Sequence, residues 1–338
     1  MKKIVWLWLF ITSNIKVRSA TYFAVFIAWL MRHDKTYAIA IKLINLFIIV
    51  FKRKLNSFYF VSTAEELSSK IIKPEVKLLS SDFLRNKLLT EVIRQYMDRF
   101  PWENMSSLVE RKSHEVFEKE EELSNLLFFT HTGDYWISIL TAIRQYRWKN
   151  YKFIVPIYQE IDAASQAMYD KIAYEGVNVT FMHIHAPGAL LKLSKHFKDP
   201  HCVIAIFYDL SCYIGGIYNG NVEPVSFLGR KGWMTTGILR LASKYRSHAN
   251  FVCCHYSYED QFFITQFSQK HSLENTTEMS RLMVAHLEFF LRTWPAQWHF
   301  ISNLDSYFHF PWSQISTKHT NQIAHYAQLE KKYCPSGE

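Results

Sequence analysis

The sequence predicts an α/β protein: a mainly parallel central sheet flanked by helices, with a distinct helical segment at the N-terminus. Three observations carry this. From residue 125 onward, short apolar runs of strand length alternate with segments of helical apolar spacing, the pattern of βα units. Between residues 68 and 122 the spacing is helical. The first 55 residues stand apart in composition, because they hold ten Lys/Arg against one acid, Asp34, and so carry the whole formal net charge of +9. At 338 residues the chain is long enough for one large α/β domain or two small ones. With 10 glycines and 9 prolines it is neither linker-rich nor of low complexity, and it shows no internal repeat.

Residues 1–55 interleave their cations with Trp6, Trp8, Phe10, Tyr22, Phe23, Phe26, Trp29 and Phe47. Apolar bulk flanked by cations fits an anionic lipid interface better than a nucleic-acid groove. The charge-free runs 4–15, 19–31 and 43–51 all fall short of the roughly 18–20 apolar residues a spanning helix needs. "MKKIVWLWLFITSN" begins like a signal peptide but has no small-x-small site before Asn14, and Lys16 and Arg18 follow at once, so it reads as uncleaved. Buried core helices, or helices part core and part lipid-facing, fit the same pattern.

Residues 56–124 are expected to be helical and to pack on the domain that follows. "SDFLRNKLLTEVIRQYMDRF" has a Ser-Asp start and apolar spacing of three and four, and Pro101 stops it. "SSLVERKSHEVFEKEEELSN" reads as more helix with a solvated charged face. Residues 125–310 form the α/β domain, with strands expected at 126–130, 152–158, 177–184, 202–208, 222–228 and 250–255. Helices are expected at 135–146, 163–175, 189–197, 235–245 and 276–293. Residues 311–338 are a polar tail.

Parallel sheets bind ligands beyond the carboxyl ends of their strands. "NLLFFTHTGDYWISIL" places His131 at such a strand end. Gly133 permits a sharp turn or close backbone approach. Asp134 suits the first turn of the next helix, facing its positive end. A hydrogen-bonded loop histidine and an ordinary helix cap explain the same residues, so the local pattern leaves both readings open.

Other chemistries find no motif. The five cysteines are odd in number and contain no CxxC pair, which points to a reducing compartment and not to a disulfide framework or a zinc knot. Among 15 histidines, His183 and His185 alternate on a strand with no acid or cysteine at ligand spacing. Neither a dinucleotide fingerprint nor a P-loop is present.

Across residues 125–305 the sequence resembles the lipid A late acyltransferases, the lauroyl and myristoyl transferases within the lysophospholipid acyltransferase-like superfamily. Their His-x-Gly-Asn-Trp-Glu motif is similar to His131-Thr132-Gly133-Asp134-Tyr135-Trp136. "CVIAIFYDLSCYIGG" looks like the family's buried strand ending in an aspartate, here Asp209. "EPVSFLGRKGWMTTGILRLASKY" resembles its Phe-x-Gly-Arg segment and threonine-glycine helix start. "HLEFFLRTWPAQWHFI" is similar to its closing Pro-x-Gln-Trp, here Pro295, Gln297 and Trp298. The blocks occur in the family's order, and the basic, apolar N-terminus also fits. Two positions depart. Trp136 stands where the family has its acid, and "VPIYQEIDAASQAMYDK" carries acids where an Arg-Asn pair is common.

The resemblance implies acyl transfer from an acyl carrier protein or CoA thioester to a hydroxyl or amine of a lipid or glycolipid. It places the protein at the cytoplasmic face of a bacterial inner membrane and calls for no cofactor beyond the donor. His131 would be the general base. With Trp136 unable to orient it, Asp209 is the first candidate for that role, as at later strand ends elsewhere in the superfamily, and Asp134 the second. Gly229, Arg230 and Lys231 would hold a phosphate of the donor arm or head group, and Thr235 and Thr236 would offer donors to an anion. Two alternatives share the fold: a relative acylating or amidating a specialised metabolite from a carrier-protein thioester, and a noncatalytic member.

Overall fold

A computed structural model of the chain describes residues 20–72, 78–158, 160–211 and 222–309. It is α/β, with a mixed, mostly parallel central sheet flanked by helices. The strands are β1 (Ser113–Phe117), β2 (Leu126–Phe129), β3 (Tyr151–Ile157), β4 (Val177–His183), β5 (Cys202–Phe207), β6 (Val222–Phe227), β7 (Arg230–Thr235), β8 (His248–Ser257), β9 (Phe262–Phe267) and β10 (His271–Ser272). The main sheet runs β1-β9-β8-β2-β5-β3-β4, with β10 against β8, and β6-β7 form a separate hairpin. Only the β8 pairings with β9 and β10 are antiparallel within the main sheet.

Burial follows this order. All four residues of β2 are buried, as are the first five of β5 and eight of the ten in β8, the continuous apolar runs that strands covered on both faces require. The edge strands β1 and β4 are mostly exposed or half-buried. The helices are α1 (residues 20–30), α2 (Asp34–Phe58), α3 (Val61–Leu67), α4 (Ser80–Arg99), α5 (Trp102–Lys112), α6 (Tyr135–Arg144), α7 (Ala163–Tyr169), α8 (Ala189–Lys198), α9 (Gly237–Ala242) and α10 (Thr276–Thr293). Past its first residue α6 is wholly buried, including Arg144, which ion-pairs with Glu115 and with Glu110 at 3.2 Å.

Several expectations are corrected. Helix was expected through residue 122, yet Ser113–Phe117 is an edge strand parallel to β9, so the main sheet begins before residue 125. Its charges read as a helix face, but they suit a sheet edge equally, where they also block pairing with another chain. Residues 222–228 do form a strand, but they pair with the unforeseen β7 and not with the main sheet. Because β7 runs through Thr235, the helix expected at 235–245 shortens to α9. The helix expected at 163–175 ends at Tyr169, and α10 has the bounds expected of it.

In the N-terminal segment, α2 buries Tyr37, Ala40, Ile41, Ile44 and Ile48 and leaves Leu46, Ile49 and Val50 exposed. Among the described residues no helix is long and apolar enough to cross a membrane. Residues 1–19, the polar tail 311–338, Cys212 and Cys334 lie outside the described residues. Cys202, Cys253 and Cys254 are buried free thiols.

Candidate active site

Strand register brings the two principal residues together. In the parallel pair β2-β5, Phe129 lies opposite Phe207. His131 and Asp209 each follow two residues later, so they leave the sheet at the same level on neighbouring strands. The His131 Nδ1 lies 2.7 Å from Asp209 Oδ1, and the backbone N–H of His131 donates to Asp209 Oδ2 at 2.7 Å. Trp298 Nε1–H donates to that same Oδ2 at 2.8 Å, and the Tyr307 hydroxyl donates to the Asp209 carbonyl. Asp209 is fully buried, while the His131 side chain keeps 18% of its exposure. A carboxylate acceptor at Nδ1 assigns the proton to that nitrogen, so the lone pair sits on Nε2, which has no hydrogen-bond partner among the described residues. An imidazole oriented by a buried carboxylate, with its second nitrogen free, is the arrangement of a general base.

The loop carrying His131 is fixed on every side. Gly133 has φ +57°, and a Cβ there would come within 2.5 Å of the Cys254 carbonyl on β8, so both conformation and space demand glycine. Its N–H donates to Gln297 O at 2.8 Å, and His299 N–H donates to His131 O at 2.9 Å. The Gln297 side chain grips the Tyr256 backbone at both ends, at 2.7 and 3.0 Å. His299 Nε2 donates to Gly133 O at 3.0 Å, and Lys87 Nζ donates to His299 O at 2.9 Å. Burial, helped by the Lys87 charge, lowers His299 to about 3, so it stands neutral in the wall of the cleft. Burial also lowers Lys87 to about 8.

His131 opens into a cleft of roughly 410 Å³ at the carboxyl ends of β2, β3, β4 and β5. Its walls are apolar and rich in rings. Phe207 lies 4.1 Å from the His131 ring centroid, Phe300 4.9 Å and Tyr135 5.6 Å, the last two edge-on. This volume falls within the range of small-ligand sites.

Of the other expected residues, Thr235 alone lines the cleft. Asp134 caps α6 by accepting from the Ile137 N–H at 2.9 Å, and it does not line the cleft. Among the described residues its Oδ2 has no hydrogen-bond partner, and burial pushes its carboxyl up to about 7. Trp136 is a wall of the cleft. Gly229, Arg230 and Lys231 are not brought to His131. Leu228 and Gly229, both at positive φ, make the β6-β7 turn, Arg230 donates to Lys70 O at 2.8 Å, and Lys231 lies over the Trp233 ring. The antiparallel hairpin, unforeseen in the sequence, carries them away from the cleft. Thr235 lines the cleft, whereas Thr236 is buried, makes no cap bond, and has no partner for its hydroxyl among the described residues. Trp298, Tyr307, His299 and Lys87 were given no role from sequence. For Trp298 a signal existed, since it closes the Pro-x-Gln-Trp block.

Among the described residues no cluster of three or more His, Cys, Asp or Glu is placed to hold a metal ion. Compared with protein-family models and with curated proteins, the chain matches none. The functional reading therefore rests on the site itself.

Proposed function

We propose that this protein is a membrane-associated acyltransferase that moves an acyl group from a carrier-protein or CoA thioester to a hydroxyl or amine. The observation that supports it most is the His131–Asp209 pair at the head of an apolar cleft. In this reading, His131 Nε2 takes the proton of the acceptor as its oxygen or nitrogen attacks the thioester carbonyl. The C–S bond breaks, an ester or amide forms, and the thiolate recovers the proton from the imidazolium. Asp209 holds the imidazole by Nδ1 and compensates its transient charge; such help is worth about 10²–10⁴-fold in rate. No acyl-enzyme is needed, because a thioester is already activated. The acceptor is a lipid or glycolipid, or a specialised metabolite.

Membrane association draws its support from the N-terminal helices. Tyr22, Phe26 and Trp29 are exposed on α1, and Leu46, Ile49, Val50 and Phe58 on α2. Exposed Lys42, Lys52, Arg53 and Lys54 accompany them. Apolar side chains flanked by cations suit the cytoplasmic surface of an anionic bilayer. The full-length protein should sediment with anionic vesicles and be partly released by salt, since such attraction is screened within about 8–10 Å at physiological ionic strength. Full solubility in the presence of those vesicles would refute this part. For the reaction, pure protein is incubated with acyl carrier protein thioesters and a lipid extract. A new acylated product by mass spectrometry, absent with His131→Ala, is the expected result.

A further inference from the structure

One wall of the cleft is a cluster of packed rings. Tyr135 bridges His131 at 5.6 Å and Trp136 at 5.6 Å, centroid to centroid. Beyond it Trp136 packs on Tyr169 and Phe181 at 5.8 and 5.7 Å, and those two rings stack on each other at 4.0 Å. All three line the cleft, together with Ile139 and Val155, which are 2% and 0% exposed. Trp136 and Phe181 are themselves only 7% and 8% exposed, so these rings, with half-buried Tyr169 beside them, make a packed wall of the cleft. Volume sets the limit. The roughly 410 Å³ must hold the acyl group, the thioester and the attacking end of the acceptor. The cleft is thus about two to three times the roughly 150 Å³ cavity that takes one benzene ring, and the acyl group shares that space with the thioester and the acceptor.

We infer that the cleft takes a short or aryl acyl group and excludes a long straight chain, with Trp136 as the specificity-determining residue. This rests on the acyl-transfer reading. It also explains the tryptophan at the family's acid position, which closes space while Asp209 orients the base from the neighbouring strand.

Binding, measured apart from turnover, tests it. Full-length protein carrying His131→Ala is titrated calorimetrically with N-acetylcysteamine thioesters: acetyl, hexanoyl, 3-phenylpropanoyl, octanoyl and dodecanoyl. Affinity should rise about fourfold per buried methylene from acetyl to hexanoyl, remain high for 3-phenylpropanoyl, and fall by dodecanoyl. Adding Trp136→Ala should move the optimum to longer chains. Tyr169→Ala, at a half-buried position in the same wall, should move it the same way and guards against misfolding of the first variant. Dodecanoyl binding tightest in the parent, or an optimum unmoved by both variants, would overturn the proposal and leave acyl transfer standing. If no thioester binds a protein that melts cooperatively, the acyl-transfer reading falls, and the proposal with it.

Discussion

Asp209 and Asp134 are both buried, both lie near the strand end that carries His131, and both were candidates to orient it. Their surroundings differ. Asp209 accepts three N–H donors on its two oxygens, from the His131 ring, the His131 backbone and Trp298. Asp134 accepts from the N–H of Ile137, and among the described residues its second oxygen has no hydrogen-bond partner. The first is built into a site; the second ends a helix. Closeness in sequence favours Asp134, three residues from His131. Parallel register places Asp209 beside it from 78 residues away. The lesson is that a strand-end residue in such a sheet meets its counterpart on the next strand before it meets its own successors.

The largest expected effect separates the two carboxylates directly. Asp209→Asn and His131→Ala should each cost at least about 10²-fold in kcat, with melting temperatures kept within a few degrees for His131→Ala. Combined, they should cost little more than either alone, because the two residues act as one unit. Asp134→Asn should leave kcat within a few-fold. An inactive Asp134→Asn beside an active Asp209→Asn would reverse the comparison.

Trp298→Phe sharpens it. The ring is fully buried and its N–H is one of the three donors on Asp209. Phenylalanine keeps most of the packing and removes the donor, leaving a buried carboxylate oxygen one bond poorer at a cost of about 1–3 kcal/mol. We expect roughly tenfold lower kcat with little change in KM, because the substrate is not touched. A raised KM with kcat unchanged would instead put Trp298 in the substrate site.

How much of this was legible in the sequence follows from the same contrast. The alternation after residue 125, the strand ending at His131 and the helix α10 were readable, because periodicity and length are local properties. Asp209 could be placed at a strand end, but not beside His131 by spacing alone, since register and strand order are set by the whole sheet. Trp298 lies 89 residues beyond the carboxylate it serves, and no local pattern announces that bond. The strand β1 was hidden by its charges, which suit a helix face and a sheet edge alike. Arg230 and Lys231 look like a phosphate clamp as letters, yet the positive φ of Leu228 and Gly229 turns them into a hairpin end. Turn chemistry, with leucine in an uncommon left-handed conformation, thus starts a hairpin that no local pattern announced.

The smallest effect concerns stability and runs against intuition. Burial raises the Asp134 carboxyl to about 7, whereas in the unfolded chain it titrates near 3.9. Between these values the native state binds the extra proton. Its stabilising contribution is therefore whole below about pH 4 and is lost as pH rises through about 7. Asparagine caps a helix as well as aspartate does and has no charge to bury. Asp134→Asn should therefore match the parent near pH 4 and exceed it increasingly up to pH 8. The gap between the two values sets a ceiling of about 4 kcal/mol, and losing the carboxylate's attraction to the helix end offsets part of it. Thermal melts should show a gain of roughly 2–4 °C at pH 8. A variant that melts lower than the parent at pH 8 would mean that the charge is used in the fold. Asp134 would then join Asp209 as a carboxylate the site depends on, and the contrast between them would be lost.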